Sequence, residues 1–311
     1  MKILVTGSTG LVGSALLRKC ETANLDYLGI SSRDLDLRDR DNTFNFINKI
    51  KPDLIINAAA LVGGIGANDS KPVDFLSQNL QIQTNLIDAA FEAKVKKFIF
   101  LGSSCIYPRD SIQPIKEHYL MTGLLEKTNT AYAIAKIAGI ELIKSYRRQY
   151  NVPWISIMPT NLYGPNDNFD LFSSHVIPAL IHKFSRAKNL GIEKVELWGT
   201  GTSKREFLHV DDLAEAVLIC ADRYDDDLHI NVGSGQEISI LDLAKEIQEA
   251  VEFKGEIEWN TKYPDGTPRK ILDSSRLRQL GWSAKISLRD GLRSTISWFL
   301  DNYFNAEHKN V

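Results

Sequence analysis

Ile3-Leu4-Val5-Thr6-Gly7-Ser8-Thr9-Gly10-Leu11-Val12-Gly13 decides the fold. Ile3, Leu4 and Val5 read as a short buried strand, and an amphipathic run to about Cys20 reads as a helix. Between them lies a glycine turn with the spacing GxxGxxG. Strand, glycine turn and helix in that order are the context a dinucleotide site requires. Glycines let the backbone approach a pyrophosphate and let helix lie close on strand. The helix N-terminus then offers free N–H groups and positive potential to the phosphates. The expected fold is therefore α/β, a Rossmann-type doubly wound parallel sheet, with a smaller C-terminal α/β substrate domain. Gly7, Ser8, Thr9, Gly10, Leu11, Val12 and Gly13 are expected at the cofactor.

Composition bounds the rest. The 311 residues suffice for one large core or two domains. With 43% hydrophobic and 24% charged residues, the chain matches an ordinary globular enzyme. A net charge of −2 gives no broad basic field for nucleic acid, so an anionic ligand must be held by a few placed cations. Cys20, Cys105 and Cys220 are too few and too scattered for a disulfide framework or a metal cage. No apolar run reaches the roughly 18 residues of a membrane helix, and no signal peptide is visible after Met1. The expectation is a cytoplasmic protein with no metal, no membrane and no nucleic-acid partner.

Further strands are expected at Tyr27–Ile30, Asp53–Ala60, Lys97–Gly102 and Ile155–Met158. An acid that reads a ribose stands about 20 residues past the glycines; here Arg33 holds that place, after two serines. Arginine with neighbouring hydroxyls suits a 2′-phosphate and favours NADPH, while Asp34 keeps NADH open. Val62 to Asn68 reads as a glycine-rich loop, and a long helix follows with Leu76, Leu80, Ile87 and Phe91 as its apolar stripe. The fourth strand delivers Ser103, at the strand end where open α/β sheets bind ligands. The helix from about Thr130 to Tyr150 carries Tyr132 and Lys136 one turn apart on one face. An ammonium beside a phenol favours the phenolate, so Lys136 is expected to lower the Tyr132 pKa. Strand–helix alternation breaks after Pro159–Phe169, where a second domain is expected to begin. Glu196–Gly199 reads as a strand of that domain, His229–Gly233 as a strand returning to the first, and Leu288–Tyr303 as the closing helix. The expected division is residues 1–165, with a returning segment near 205–235, and residues 166–311.

The GxxGxxG spacing, followed by Ser103, Tyr132 and Lys136 in that order, resembles the extended branch of the short-chain dehydrogenase/reductase superfamily. Asp36-Leu37-Arg38-Asp39 resembles its adenine-contacting segment. Blocks spread over the whole chain resemble the GDP-L-fucose synthase family: Leu101–Pro108, Tyr132–Glu141, Pro159–Phe169, Ser174–Leu180, Trp198–Asp212 and Pro264–Lys270. That resemblance implies an NADPH-dependent 3,5-epimerase/4-reductase, acting as a homodimer on GDP-4-keto-6-deoxy-D-mannose. It implies Ser103, Cys105, Tyr132, Lys136 and His175 as catalytic residues. Beyond the glycine loop, it implies Arg33, Asp34, Leu35, Asp36, Leu37, Leu101, Gly102, Ser103, Ser104, Tyr132, Lys136, Pro159, Thr160, Asn161, Leu162 and His175 at NADPH/NADP+. Lys183, Trp198, Arg205 and Asp265 are implied at the GDP end, where two cations and an indole suit a diphosphate and a base. One departure stands out: Thr9 occupies a place where some relatives carry an arginine that grips the 2′-phosphate.

The chemistry can be read from the residues as well. A 4-keto group makes the C3 and C5 hydrogens acidic, because each carbanion is an enolate. Inversion needs a base on one face and an acid on the other, and reduction needs a hydride and a proton. A free thiol titrates near about 8.5, lower beside a cation, and histidine suits proton return. Cys105 and His175 are the candidates; otherwise they are a buried small side chain and a structural histidine. Ser104 and Cys105 replace the Asp and Glu of related dehydratases, which disfavours a 4,6-dehydratase. Another nucleotide-sugar epimerase/reductase remains open, as does a non-catalytic NADPH-binding regulator, although the latter sits badly with an intact Tyr132 and Lys136.

Overall fold

The computed structural model describes residues 1–263, 265 and 267–304. Pro264 and Gly266 of the expected polar loop, and the end of the expected second domain at 305–311, lie outside the described residues. The first half alternates strand and helix: β1 (Lys2–Thr6), α1 (Leu11–Thr22), β2 (Asp26–Ile30), α2 (Arg40–Ile50) and β3 (Leu54–Asn57). Then come α3 (Ile65–Ser70), α4 (Pro72–Glu92), β4 (Lys97–Leu101), α5 (Thr130–Tyr150) and β5 (Ile155–Pro159). All these strands pair in parallel, in the order β2-β1-β3-β4-β5, with a sixth strand described below.

Alternation along each strand divides the core into two layers. Ile3, Val5, Leu54, Ile56, Ile99 and Leu101 face one side, against Ala15, Leu16 and Cys20 of α1. Leu4, Ile55, Phe98 and Phe100 face the other, against Leu86 and Ile87 of α4 and Ile140 and Ile143 of α5. Covering both faces explains why these strands are apolar throughout. Truncating any one of these buried aliphatic side chains costs about 2–5 kcal/mol. Helix α5 sits especially close to the sheet, because a Cβ on Gly139 would meet the Phe100 ring at 2.3 Å. That closeness brings Lys136 to the end of β4.

The second half is built around one strand. After β6 (Asn161–Tyr163), α6 (Val176–Leu190) and β7 (Lys194–Trp198) comes β8 (Lys204–His209), then α7 (Val210–Arg223) and β9 (Ile230–Val232). Strand β9 pairs with β5 and completes the six-stranded sheet. The chain continues with β10 (Glu237–Ser239), α8 (Ile240–Val251), β11 (Glu256–Asn260), β12 (Arg269–Lys270), α9 (Ser275–Gln279) and α10 (Leu288–Phe299). Strand β8 receives β6 and β12 in parallel and β10 antiparallel, while β7 and β11 form a separate parallel pair. A third core joins α6, α8 and α10 through Ile181, Phe184, Leu243, Ile247, Leu292 and Phe299.

Two sequence expectations are corrected. The stretch Val62–Asn68 is not all loop: α3 begins at Ile65, and Asn68 Nδ2 donates to the carbonyls of Gly63 (2.7 Å) and Gly64 (3.0 Å), holding the turn before it. The closing helix ends at Phe299, and Leu300–Phe304 continues as a wider π-type turn. In α4 the fully buried stripe runs through Phe75, Asn79, Gln83, Leu86, Ile87 and Ala90, so polar side chains take part in it. Gln83 Nε2 donates to the Ala135 carbonyl at 2.7 Å, which ties α4 to the turn of α5 between Tyr132 and Lys136.

Candidate active site

The glycine loop joins β1 to α1. Gly10 is the N-cap of α1 with no side-chain cap, so the first amides of that helix stay open to an anion. A Cβ on Gly13 would lie 2.1 Å from the Gly7 carbonyl, so only glycine lets α1 start this close to the turn. Thr9 and Gly10 are exposed. After β2, Asp34 Oδ2 accepts from Ser31 N (2.8 Å) and Ser31 Oγ (2.7 Å), and those bonds hold its pKa below the ordinary range. Asp34 is thus occupied by its own turn, whereas the exposed Arg33 guanidinium makes no ion pair among the described residues. Leu35 is half-buried, Asp36 binds Arg38, and Leu37 packs into the core. An open helix N-terminus and a free arginine fit a dinucleotide with a 2′-phosphate.

Strand β4 ends at Leu101, and Gly102, Ser103 and Ser104 lead into a short 3-10 turn, Ser104–Ile106, that carries Cys105. Ser103 Oγ accepts from Cys105 N at 3.3 Å, and the Ser103 hydroxyl is near enough to the Tyr132 phenol to favour its ionised form. Lys136 Nζ donates to the Leu101 carbonyl at 2.8 Å and stands 5.8 Å from the Tyr132 ring centre. Tyr132 and Lys136 are both buried, at 7% and 4% exposure, so burial decides their ionisation. Desolvation, then the nearby Cys105, pushes the Tyr132 phenol up, and the Ser103 hydroxyl offsets only part of this. Desolvation also brings Lys136 down to about 8. The expectation that Lys136 draws the tyrosine pKa down is therefore not met: the ammonium is spent on a carbonyl, and removal from water outweighs it.

The second half of the chain supplies the other wall. Pro159, Thr160, Asn161 and Leu162 bridge β5 and β6, anchored by Thr160 Oγ1 and Asn161 Nδ2 donating to the Glu206 carbonyl (3.3 and 2.8 Å). His175 is the N-cap of α6. The residue is exposed at its edge yet closely surrounded by protein, and desolvation, followed by the Lys270 charge, pushes the imidazole below its ordinary value. Lys183 Nζ donates to the Glu196 carbonyl (3.3 Å) and lies 5.9 Å over the Trp198 ring. Trp198 is 61% exposed and stacks on Tyr263 at 4.3 Å and 15°. Asp265 accepts from Thr200 N (2.9 Å) and Thr200 Oγ1 (2.7 Å), so it braces the β7–β8 turn and also feels the charge of Arg205.

Two residues that matter here were not singled out from the sequence. Lys270 lies with Nζ 3.7 Å from Cys105 Sγ. Glu206 is fully buried, and its carboxylate accepts from Gly235 N (2.7 Å) and Leu272 N (3.0 Å), tying two segments to β8. A charged pair of residues inside a strand pattern was the only available signal for Glu206.

Asp167, just before the site's second wall, makes a pH prediction. Its Oδ1 accepts from Asn168 N at 2.8 Å, while its buried Oδ2 has no partner among the described residues. Desolvation pushes this carboxyl up to about 7. The folded state therefore holds a proton that the unfolded chain, titrating near about 3.9, releases earlier. Stability is fully present below the unfolded value and is lost as pH rises toward about 7. Asp167→Asn is expected to flatten that dependence and to stabilise the protein at alkaline pH by on the order of 3 kcal/mol. Melting temperatures at acid and alkaline pH check this; an unchanged gap between them refutes it.

A glycine loop at an open helix start, together with a buried tyrosine and lysine one turn apart and a serine just past the end of β4, is the make-up of a dinucleotide-dependent short-chain reductase. Residues 3–233 match the NAD dependent epimerase/dehydratase family. The chain is 53% identical over 305 residues to GDP-L-fucose synthase 1 of Arabidopsis thaliana, covering 98% of this chain and 94% of that one. It is 47% identical over 311 residues to the GDP-L-fucose synthase of Escherichia coli (strain K12), covering 97% of each. The crystal structure of a GDP-L-fucose synthetase from Naegleria fowleri bound to NADP superposes with a TM-score of 0.90 at 30% identity, over 97% of this chain and 95% of that one. The chain belongs to the NAD dependent epimerase/dehydratase family and, within it, to the GDP-L-fucose synthases.

Proposed function

We propose that this chain converts GDP-4-keto-6-deoxy-D-mannose to GDP-L-fucose, as a 3,5-epimerase and NADPH-dependent 4-reductase. The observation that carries the reading is a thiol, Cys105, close enough to Tyr132 and Ser103 to be sensed by the phenol, with Lys270 against its sulfur. A plain reductase needs no thiol there; an enzyme that also removes carbon-bound protons does.

The glycine loop Gly7–Gly13 and the open start of α1 hold the pyrophosphate, Arg33 the 2′-phosphate, Leu37 and its neighbours the adenine, and Lys136 and Pro159–Leu162 the nicotinamide end. Bound NADPH supplies one thing, a hydride for C4. Tyr132, with the Ser103 hydroxyl beside it, donates to the 4-keto oxygen and stabilises each enolate. Its raised pKa keeps the proton in place until the oxyanion forms. Cys105 removes the proton from C3 and later from C5. His175 returns one from the other face; its neutral resting form takes up a proton when an anionic diphosphate enters the cleft. Tyr132 finally gives its proton to O4. Lys183, Arg205 and Trp198 hold the GDP end, with Asp265 bracing the turn that carries them.

The same reading takes residues 1–165, with the returning segment near 205–235, as the cofactor unit and 166–311 as the GDP-sugar unit. It takes the working form as a cytoplasmic homodimer. Exposed Val73 on α4 and Ile134 on α5, at 76% and 44%, support pairing through those helices. Among the described residues no helix is long and apolar enough to cross a membrane.

The test is NADPH oxidation, followed by absorbance, with GDP-4-keto-6-deoxy-D-mannose and with GDP-mannose as control. Oxidation with the keto-sugar alone, and a product that NMR shows inverted at C3 and C5, is the expected result. Turnover with neither removes the assignment, and reduction without inversion leaves a simple 4-reductase.

A further inference from the structure

Strand β12 is only two residues long, yet it is pinned on both sides. It pairs in parallel with β8, Arg269 opposite Lys204 and Lys270 opposite Arg205. Just beyond it, Ile271 N donates to Gln113 Oε1 at 2.9 Å, Ile115 N donates to the Ile271 carbonyl at 2.8 Å, and Leu272 N donates to the buried Glu206 carboxylate at 3.0 Å. Strand alternation sends neighbouring side chains to opposite faces. Arg269 goes to Glu237 at 2.6 Å. Lys270 goes to the Cys105 sulfur at 3.7 Å.

Lys270 has no carboxylate partner among the described residues, although the chain carries 39 acidic ones. Its one hydrogen bond there is to sulfur. The groups that sense the same sulfur are Tyr132 from α5 and Arg205 from β8, and His175 at the start of α6 senses Lys270. The one acid that reaches this set, Asp265, acts on Arg205. A half-buried ammonium whose partner is a thiol favours the anionic sulfur and fixes the direction of its lone pairs.

We infer that Lys270 is a positioning residue for the epimerisation step: its ammonium holds the Cys105 sulfur as the anion and aims it into the cleft. This rests on the reading of Cys105 as the base and adds the group that makes it one. It also gives the short strand β12 a task. The strand delivers a single cation, from a segment 165 residues downstream, to the turn that follows β4.

The test reads sulfur chemistry, not turnover, so it fails separately from the proposed function. The NADPH-loaded protein is treated with iodoacetamide at neutral pH. Cys20 and Cys220 are fully buried, and Cys105→Ser gives the background. Lys270→Met is expected to slow Cys105 alkylation about tenfold and to weaken the short-ultraviolet thiolate absorbance, and Lys270→Arg to restore both to within about threefold. NADPH affinity and melting temperature are measured alongside. Equal rates in wild type and a folded Lys270→Met overturn the inference. Should that variant fold poorly, the wild type decides: an ammonium-held thiolate loses reactivity as salt is raised, and a rate indifferent to salt overturns it.

Discussion

Cys105→Ser protein is expected to bind NADPH as the wild type does and to lose deuterium wash-in from solvent at C3 and C5 by about a thousandfold. A serine hydroxyl does not ionise in the range where a thiol does, and the neighbouring Lys270 ammonium cannot make it do so. The substitution keeps the local fold, because the 3-10 turn at Ser104–Ile106 is held through the Cys105 backbone, whose N–H donates to Ser103 Oγ. Exchange is read by NMR with GDP-4-keto-6-deoxy-D-mannose in heavy water. Undiminished exchange takes the base role away from Cys105. Exchange lost at one carbon alone divides the two abstractions between Cys105 and another group.

Tyr132→Phe is expected to cost both halves of the reaction, each by about 10²–10⁴. The phenol is the one group placed to steady the enolate in the inversions and to give a proton to O4 in the reduction. Deuterium exchange and single-turnover NADPH oxidation should therefore fall together, whereas Cys105→Ser strikes exchange first. Stability should change little. The ring keeps its edge contact with Phe75 at 6.3 Å, and the phenol makes no side-chain hydrogen bond within 3.5 Å among the described residues that the substitution would remove. In the wild type, Lys136 holds its charge below about 8, so the cationic support beside Tyr132 fades as pH rises through that value. A Tyr132→Phe protein that retains hydride transfer at the wild-type rate would remove tyrosine as the proton donor.

Local signals carried a good part of this in the sequence itself. The helix Thr130–Tyr150 appears with the bounds its composition suggested, and the glycine loop stands between a strand and a helix as its spacing required. These features depend on neighbours a few residues away. Lys270 was hidden because its meaning depends on β12 meeting β8 across 65 residues, and a two-residue strand leaves almost no period to read. The direction of the Tyr132 shift was misread for a related reason: spacing reveals the lysine one turn away but not the depth at which both side chains sit. Asp265 reads as a ligand group in a polar loop, and its second task, bracing the β7–β8 turn through Thr200, cannot be read from spacing. The α3 helix was missed because glycines and a polar asparagine read as loop until Asn68 is seen bonding back to Gly63 and Gly64.

The return of the chain to the large sheet has a mechanical consequence. It leaves at Pro159–Asn161, comes back with α7, closes the sheet with β9 and leaves again before β10. It comes back once more when Leu277 and Trp282 settle beside β9 in the first core. The earlier and later parts of the chain are thus stitched together by several backbone crossings. A cleft on one thread can gape like a book; one on several can only breathe, because every thread must flex together. Substrate entry should accordingly rely on loops at the rim, and a protease that nicks one crossing should leave two fragments that stay folded around each other.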